Sequence, residues 1–202
     1  MISGSEMAVV DANAAALGVP RKQLMESSGN AIAEAVRELA EPGDAVTVVA
    51  GRGNNGGDAF VAARFLDDFD VTAVLLGRPD AISTHIAREN WDALVAADAD
   101  TRTVRDSTAV DLGDPDLFVD AMLGTGIRGD LREPEASAAA AMNAADAPVL
   151  AVDVPSGLDA DTGALADNAV EADHVVTFHD TKPGLADLDA TVTVADIGIP
   201  DA

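Results

Sequence analysis

The chain has 202 residues, 48% of them hydrophobic and 3% aromatic, enough for one self-supporting core built from Ala, Val, Leu and Ile. Its 36 acidic residues against 12 basic ones give a formal charge of −24. That charge excludes a nucleic-acid partner or an anionic membrane surface at low salt. There is no cysteine, which excludes disulfides and thiolate metal sites.

The acidic excess reads as a solvated, salt-adapted surface of halophilic archaeal type, screened in molar salt over a Debye length of about 3 Å. The first residues carry Glu6 and Asp11 and no basic run, so a signal peptide is not expected. No apolar run approaches the roughly 18 residues needed to cross a bilayer. The expected location is cytoplasmic.

In chain order, a first helix is predicted over 5–17 with Ser5 as its cap, ended by Gly18 and Pro20. A longer helix spans 21–40 with apolar Leu24, Met25, Ile32, Val36 and Leu39, and Pro42-Gly43 breaks it. Residues 46–49 are a β-branched run that reads as a buried strand. Then come Gly51, Gly53, Gly56 and Gly57, read as a tight turn, and a helix over about 58–67. Further strands are predicted at 71–76, 101–104, 117–123, 149–154, 174–178 and 190–194, and helices at 83–97 and 134–145. Trp91 and Leu94 fall on the buried side of the first of these. Strands alternating with helices predict an α/β, Rossmann-like three-layer αβα sandwich with a mainly parallel sheet, in one domain covering 1–202.

Strand, glycine turn and helix is the layout in which backbone N–H groups and a helix N-terminus face an anionic ligand. Gly51-x-Gly53-x-x-Gly56 fits the dinucleotide fingerprint. However, the next strand ends in Gly77-Arg78, with no acid there to hold a ribose. Asn54, Asn55 and Asp58 are more polar than a plain turn requires, and look like a site for a polar ligand or a cation. Two further polar turns follow strands: Asp120 to Asp130, and Asp153 with Ser156. Asp120 and Asp153 each end an apolar strand, and a carboxylate leaving a buried strand needs a partner. Carboxylate, amide and hydroxyl oxygens together suit a hard monovalent cation and not zinc or copper. His85, His174 and His179 have no metal-ligand spacing and read as structural or solvated.

The stretch AGRGNNGGDAFVAARFL resembles the signature of the NAD(P)H-hydrate epimerase family, the YjeF N-terminal domain. LMESSGNAIAEA, DAMLGTGIRGDLREP, AVDVPSGLDADTG, KPGL and DIGIP agree in the same order, so the resemblance covers nearly the whole chain. Ala59 stands where the family usually has Gly, and Ser27-Ser28 where it tends to have Asn-Ala.

The resemblance implies an isomerase that epimerises the R and S forms of hydrated NAD(P)H, NADHX and NADPHX, for nucleotide repair. It implies one potassium ion per subunit on Asn55, Asp120 and Ser156. It implies substrate binding at Asn54, Asn55, Gly56, Gly57 and Asp58, at Gly124, Thr125, Gly126, Ile127, Arg128, Gly129 and Asp130, and at Asp153. It also implies a homodimer and a separate dehydratase partner, with no dehydratase domain fused here. Asp153 is the expected acid–base residue, Arg128 offers a bidentate fork for phosphate, and Lys182 is expected to meet the phosphate or close the pocket. Two other classes stay open: a non-catalytic nucleotide-binding or scaffold module on the same fold, and an NAD(P)-dependent oxidoreductase. The absence of tyrosine weakens the common short-chain form of the latter.

Overall fold

The computed structural model describes residues 1–126 and 129–200. Its strands are β1 (Ala45–Ala50), β2 (Asp70–Leu76), β3 (Asp100–Val104), β4 (Leu117–Ala121), β5 (Val149–Val152), β6 (His174–Phe178) and β7 (Thr191–Ala195). They form one sheet in the order β3-β2-β1-β4-β5-β6-β7, with every pairing parallel. The helices are α1 (Gly4–Ala16), α2 (Arg21–Leu39), α3 (Asn54–Phe65), α4 (His85–Ala96) and α5 (Glu135–Asn143).

Near-continuous Val, Leu and Ala in β1, β4 and β5 suit strands buried on both faces. On one face Val46, Val48, Leu117 and Val119 pack against Ile32 and Val36 of α2 and Ala59 and Ala62 of α3. Further along that face Ala73 and Leu75 meet Trp91 and Leu94 of α4, and Phe60 stacks edge-on against Trp91 at 5.2 Å. The other face packs Val49, Val74 and Phe118 against Ala138, Ala139 and Met142 of α5. These are the three layers expected from the alternating pattern. Among the described residues, no helix is long and apolar enough to cross a membrane.

Strand order runs outward from β1 to β3, then reverses to β4 on the other side of β1. Ligand crevices of open α/β sheets lie at such a reversal, beyond the carboxyl ends of the strands. Here that places the ends of β1, β4 and β5 together.

Two boundaries differ from the sequence reading in ways that matter. The cap of α1 is Ser3, not Ser5: Ser3 Oγ accepts from Glu6 N at 3.2 Å while Ser3 N donates to Glu6 Oε2 at 2.9 Å. Helix α3 begins at Asn54, four residues before Asp58. Two Asn and two Gly carry no apolar period, so the pattern becomes legible only after the helix has started. Asn54, Asn55, Gly56 and Gly57 are therefore the first turn of a helix and not a loop ahead of it. Gly53 needs no special conformation: a side chain there would meet open space.

Candidate active site

Glycine brings the first two strand ends into contact. A Cβ on Gly51 would lie 1.8 Å from the Met122 carbonyl oxygen, so only glycine lets β1 leave the sheet this close to β4. Gly51 N donates to Ala121 O at 3.0 Å. In the next layer Asp120 pairs in register with Val49 on one side and Ala151 on the other.

Asp120 is 0% exposed. Its Oδ1 accepts from Met122 N at 3.2 Å and from the Ser156 hydroxyl at 2.7 Å, and its Oδ2 accepts from Ser156 N at 2.8 Å. Burial pushes the carboxyl up to about 6, against the opposing pull of these three donors. Among the described residues no cationic side chain pairs with it. Asn55 Nδ2 donates to Leu123 O at 3.1 Å, which turns its amide oxygen away from that bond. A Cβ on Gly124 would sit 3.6 Å from that oxygen. Ser156 Oγ accepts from Leu123 N at 3.0 Å. Asn55, Asp120 and Ser156, predicted as one ligand set, are thus joined through 122–124 around a buried carboxylate that has no counter-charge among the described residues. An oxygen-rich set with one negative charge fits a hard monovalent cation.

Beside this set opens a cleft of about 820 Å³. Asn54, Asn55, Asp58, Gly124, Thr125, Gly126 and Asp153, all named from the sequence, line it. Gly56 and Gly57 lie buried beneath it in the packed start of α3, and Gly129 and Asp130 are not on its wall. Ile127 and Arg128 lie outside the described residues. Asn54 is held by α4: Thr84, which caps that helix, donates its hydroxyl to Asn54 Oδ1 at 2.9 Å. Asp58 faces the cleft from the second turn of α3. Burial, then the carboxylates of Asp153 and Asp11, raise it well above the ordinary Asp range.

Asp153 follows β5 with φ of 68°, a left-handed conformation that a non-glycine residue seldom adopts. The turn aims its side chain at the cleft, where it stays 16% exposed. Lys182 Nζ lies 2.8 Å from Asp153 Oδ1, and Thr177 Oγ1 donates to the same oxygen at 3.0 Å. Lys182, expected from the sequence to meet the phosphate or close the pocket, is on the cleft wall. The residue is 1% exposed, and its ammonium also donates to Thr177 Oγ1 and Phe178 O, each at 2.9 Å. It is committed inside the protein and not extended toward a phosphate, because a buried ammonium must satisfy its donors locally.

Two cleft residues, and one buried partner of Asp153, escaped sequence reasoning. Asp11 reaches the cleft from α1 and is raised chiefly by burial, with Arg21 opposing; it read as one acid among many. Arg52 lines the rim and pairs with the buried Glu135 at 3.6 Å, a contact across 83 residues that no local pattern announces. Thr177 sits in an apolar strand, where a single threonine passes for a β-former.

The fold and the site together define a doubly wound α/β protein with a carboxylate-bearing ligand cleft at the sheet reversal. The family described as "YjeF-related protein N-terminus" matches residues 21–184. The chain belongs to this family. It is 44% identical to the protein named "NAD(P)H-hydrate epimerase" of Cenarchaeum symbiosum, over 98% of this chain and 95% of that one. It is 46% identical to the "Bifunctional NAD(P)H-hydrate repair enzyme Nnr" of Methanothermobacter thermautotrophicus, over 98% of this chain and 40% of that protein. The chain thus spans about two fifths of the bifunctional relatives it matches. A crystal structure of the yeast protein ynu0 superposes with a TM-score of 0.80 over 96% of this chain and 87% of that one; at 24% identity this speaks to the fold alone.

Proposed function

We propose that this chain is an NAD(P)H-hydrate epimerase, an isomerase that interconverts the R and S forms of NADHX and NADPHX. The observation that carries the reading is the match, nearly full length in both directions, to the relative of that name. The cleft supplies the groups the reaction needs.

The substrate carries a hydroxyl on the ring carbon next to nitrogen. Protonation of that hydroxyl lets the nitrogen lone pair expel water and form a planar iminium. Water then adds to the other face and gives up a proton, which restores the acid. The centre inverts and no electron is gained or lost. Asp153 is the acid–base group of this reading: it is a carboxyl on the cleft wall, held among the described residues at one oxygen. Asn54, Asn55, Asp58 and the 124–130 turn bind the nucleotide. Asn55, Asp120 and Ser156 would hold potassium, and its charge would offset that of Asp120 and help order the turns around it. The same reading makes the protein a cytoplasmic homodimer whose S product is consumed by a separate dehydratase.

The test is direct. With purified chain in potassium buffer, (R)-NADPHX should yield the S form faster than it does spontaneously, followed by chromatography. Asp153→Asn should lose about 100-fold or more of that acceleration with an unchanged circular dichroism spectrum. A parent chain that does not accelerate the conversion refutes the epimerase reading, and a fully active Asp153→Asn refutes the residue's role.

A further inference from the structure

Lys182 and Thr177 are the buried polar groups of this region that the proposed reaction does not use. Among the largest fully buried side chains, Lys182 is the one that carries a charge. Thr177 is 0% exposed and forms no part of the cleft wall. Yet both converge on one atom. The ammonium donates to Thr177 Oγ1 at 2.9 Å, the Thr177 hydroxyl donates to Asp153 Oδ1 at 3.0 Å, and the ammonium lies 2.8 Å from that same oxygen. Phe178 O and Asp180 O also accept from the ammonium, at 2.9 and 3.3 Å, so its three protons are shared among four acceptors. Both carbonyls belong to the segment that joins β6 to Lys182 itself, so the cation is fixed from its own loop. The contacts to the Asp153 side chain all fall on Oδ1; among the described residues no hydrogen bond reaches Oδ2.

We infer that Lys182 and Thr177 are positioning residues for the epimerisation: a Lys182–Thr177 relay grips Asp153 Oδ1, so that Oδ2 alone is presented to the hemiaminal. The inference rests on the epimerase reading and on Asp153 as its acid–base group. Three features support it. The left-handed backbone at Asp153 is disfavoured and persists only where surrounding contacts determine it. A hydroxyl that accepts from an ammonium is polarised and becomes a better donor to the next acceptor. And the Lys182 ammonium, on the same cleft wall as Asp153, balances a negative charge in a cleft that also holds Asp11 and Asp58. Fixing one oxygen of a carboxylate while leaving the other free gives an acid–base group a single direction of attack, which is what near-attack geometry requires.

The experiment compares the parent chain, Lys182→Met, Thr177→Val, Thr177→Ser and Asp153→Asn for kcat and KM with (R)-NADPHX, and adds Lys182→Met in the Asp153→Asn background. Lys182→Met keeps the length of the side chain and removes the charge. It and Thr177→Val should each lower kcat by about 10- to 100-fold, the usual cost of losing a group that orients a reacting residue, with KM changed less than about threefold, since Thr177 is off the cleft wall and the Lys182 ammonium is taken up by protein acceptors. Thr177→Ser keeps the hydroxyl and should retain most of the activity. In the Asp153→Asn background Lys182→Met should cost almost nothing more, because the residues act as one unit. A merely structural role would not produce that non-additivity. If Lys182→Met does not fold, the Thr177 pair decides the matter alone. Parent-like kcat in Lys182→Met and Thr177→Val, beside an inactive Asp153→Asn, overturns this inference and leaves the epimerase reading standing. So does a rise in KM at unchanged kcat, which would make Lys182 a ligand contact. An inactive parent removes both.

Discussion

Ser156 holds Asp120 at both oxygens: its hydroxyl donates to Oδ1 at 2.7 Å and its backbone N–H to Oδ2 at 2.8 Å, across 36 residues of chain. A turn after β5 thus reaches sideways to a carboxylate on β4. Neutral donors alone leave that carboxylate with its charge buried. Moving a carboxyl from 3.8 to about 6 costs about 3 kcal/mol once the solution is well above both values.

A cation at Asn55, Asp120 and Ser156 would offset that cost. We expect potassium to raise the melting temperature at pH 7.5 by about 6–12 °C over choline at equal ionic strength, since 1 kcal/mol is worth about 2–4 °C in a chain of this size. Asp120→Asn should abolish the difference between the two salts. Equal melting temperatures in potassium and choline for the parent chain would show that nothing specific binds there.

Nearly every element was legible from hydrophobic period and punctuation, and the strand ending at Phe178 falls where 174–178 predicted it. Asp120, Asp153 and Ser156 stood out because a polar residue ending an apolar strand breaks the pattern. The start of α3 was hidden because glycine and asparagine carry no period. Lys182 stood out by rarity, but its partner was not readable: Asp153 is 29 residues away in sequence and meets it only because β5 and β6 are neighbours in the sheet. Long-range pairings of this kind are set by topology and leave no local trace.

The packing of α2 on α3 fixes where Asn54, Asn55 and Asp58 stand. A Cβ on Gly29 would lie 2.3 Å from Val61 Cγ1 and 2.8 Å from Asp58 O, so the two helices must part to admit it. We expect Gly29→Ala to destabilise the chain by about 3 kcal/mol through overpacking, of which the better helix propensity of alanine returns about 1 kcal/mol. Thermal unfolding measures the net loss. A variant as stable as the parent would mean that the α2–α3 contact is looser than described.

The charge of −24 sets a different dependence, on salt of any kind. Self-repulsion among exposed carboxylates weakens as the Debye length falls from about 14 Å at 0.05 M to about 3 Å at 1 M. The melting temperature should therefore rise steadily between those concentrations in choline chloride, with no plateau at low salt. A flat response would show that the acidic surface does not strain the fold.

Asp58 gives the sharpest dependence on pH. Its carboxyl is raised by burial first, and then by the carboxylates of Asp153 and Asp11 that face the same cleft. Lys182, the nearby ammonium, is committed to Asp153 and does not relieve it. A group whose folded value lies above its unfolded value contributes stability that is complete below the unfolded value. For Asp58 that is below about pH 3.8, and the contribution is lost as pH rises through the raised value. At pH 7.5 the parent therefore carries the penalty of a desolvated acid that Asp58→Asn does not carry. We expect the variant to be more stable than the parent at pH 7.5, by about 1–3 kcal/mol, and the gain to shrink as the pH is lowered toward 4. Urea unfolding at the two pH values measures both differences. A variant that is less stable at pH 7.5, or a gain independent of pH, would mean that the Asp58 carboxylate is satisfied in the folded protein, and its place in the cleft would then be that of a fixed anion.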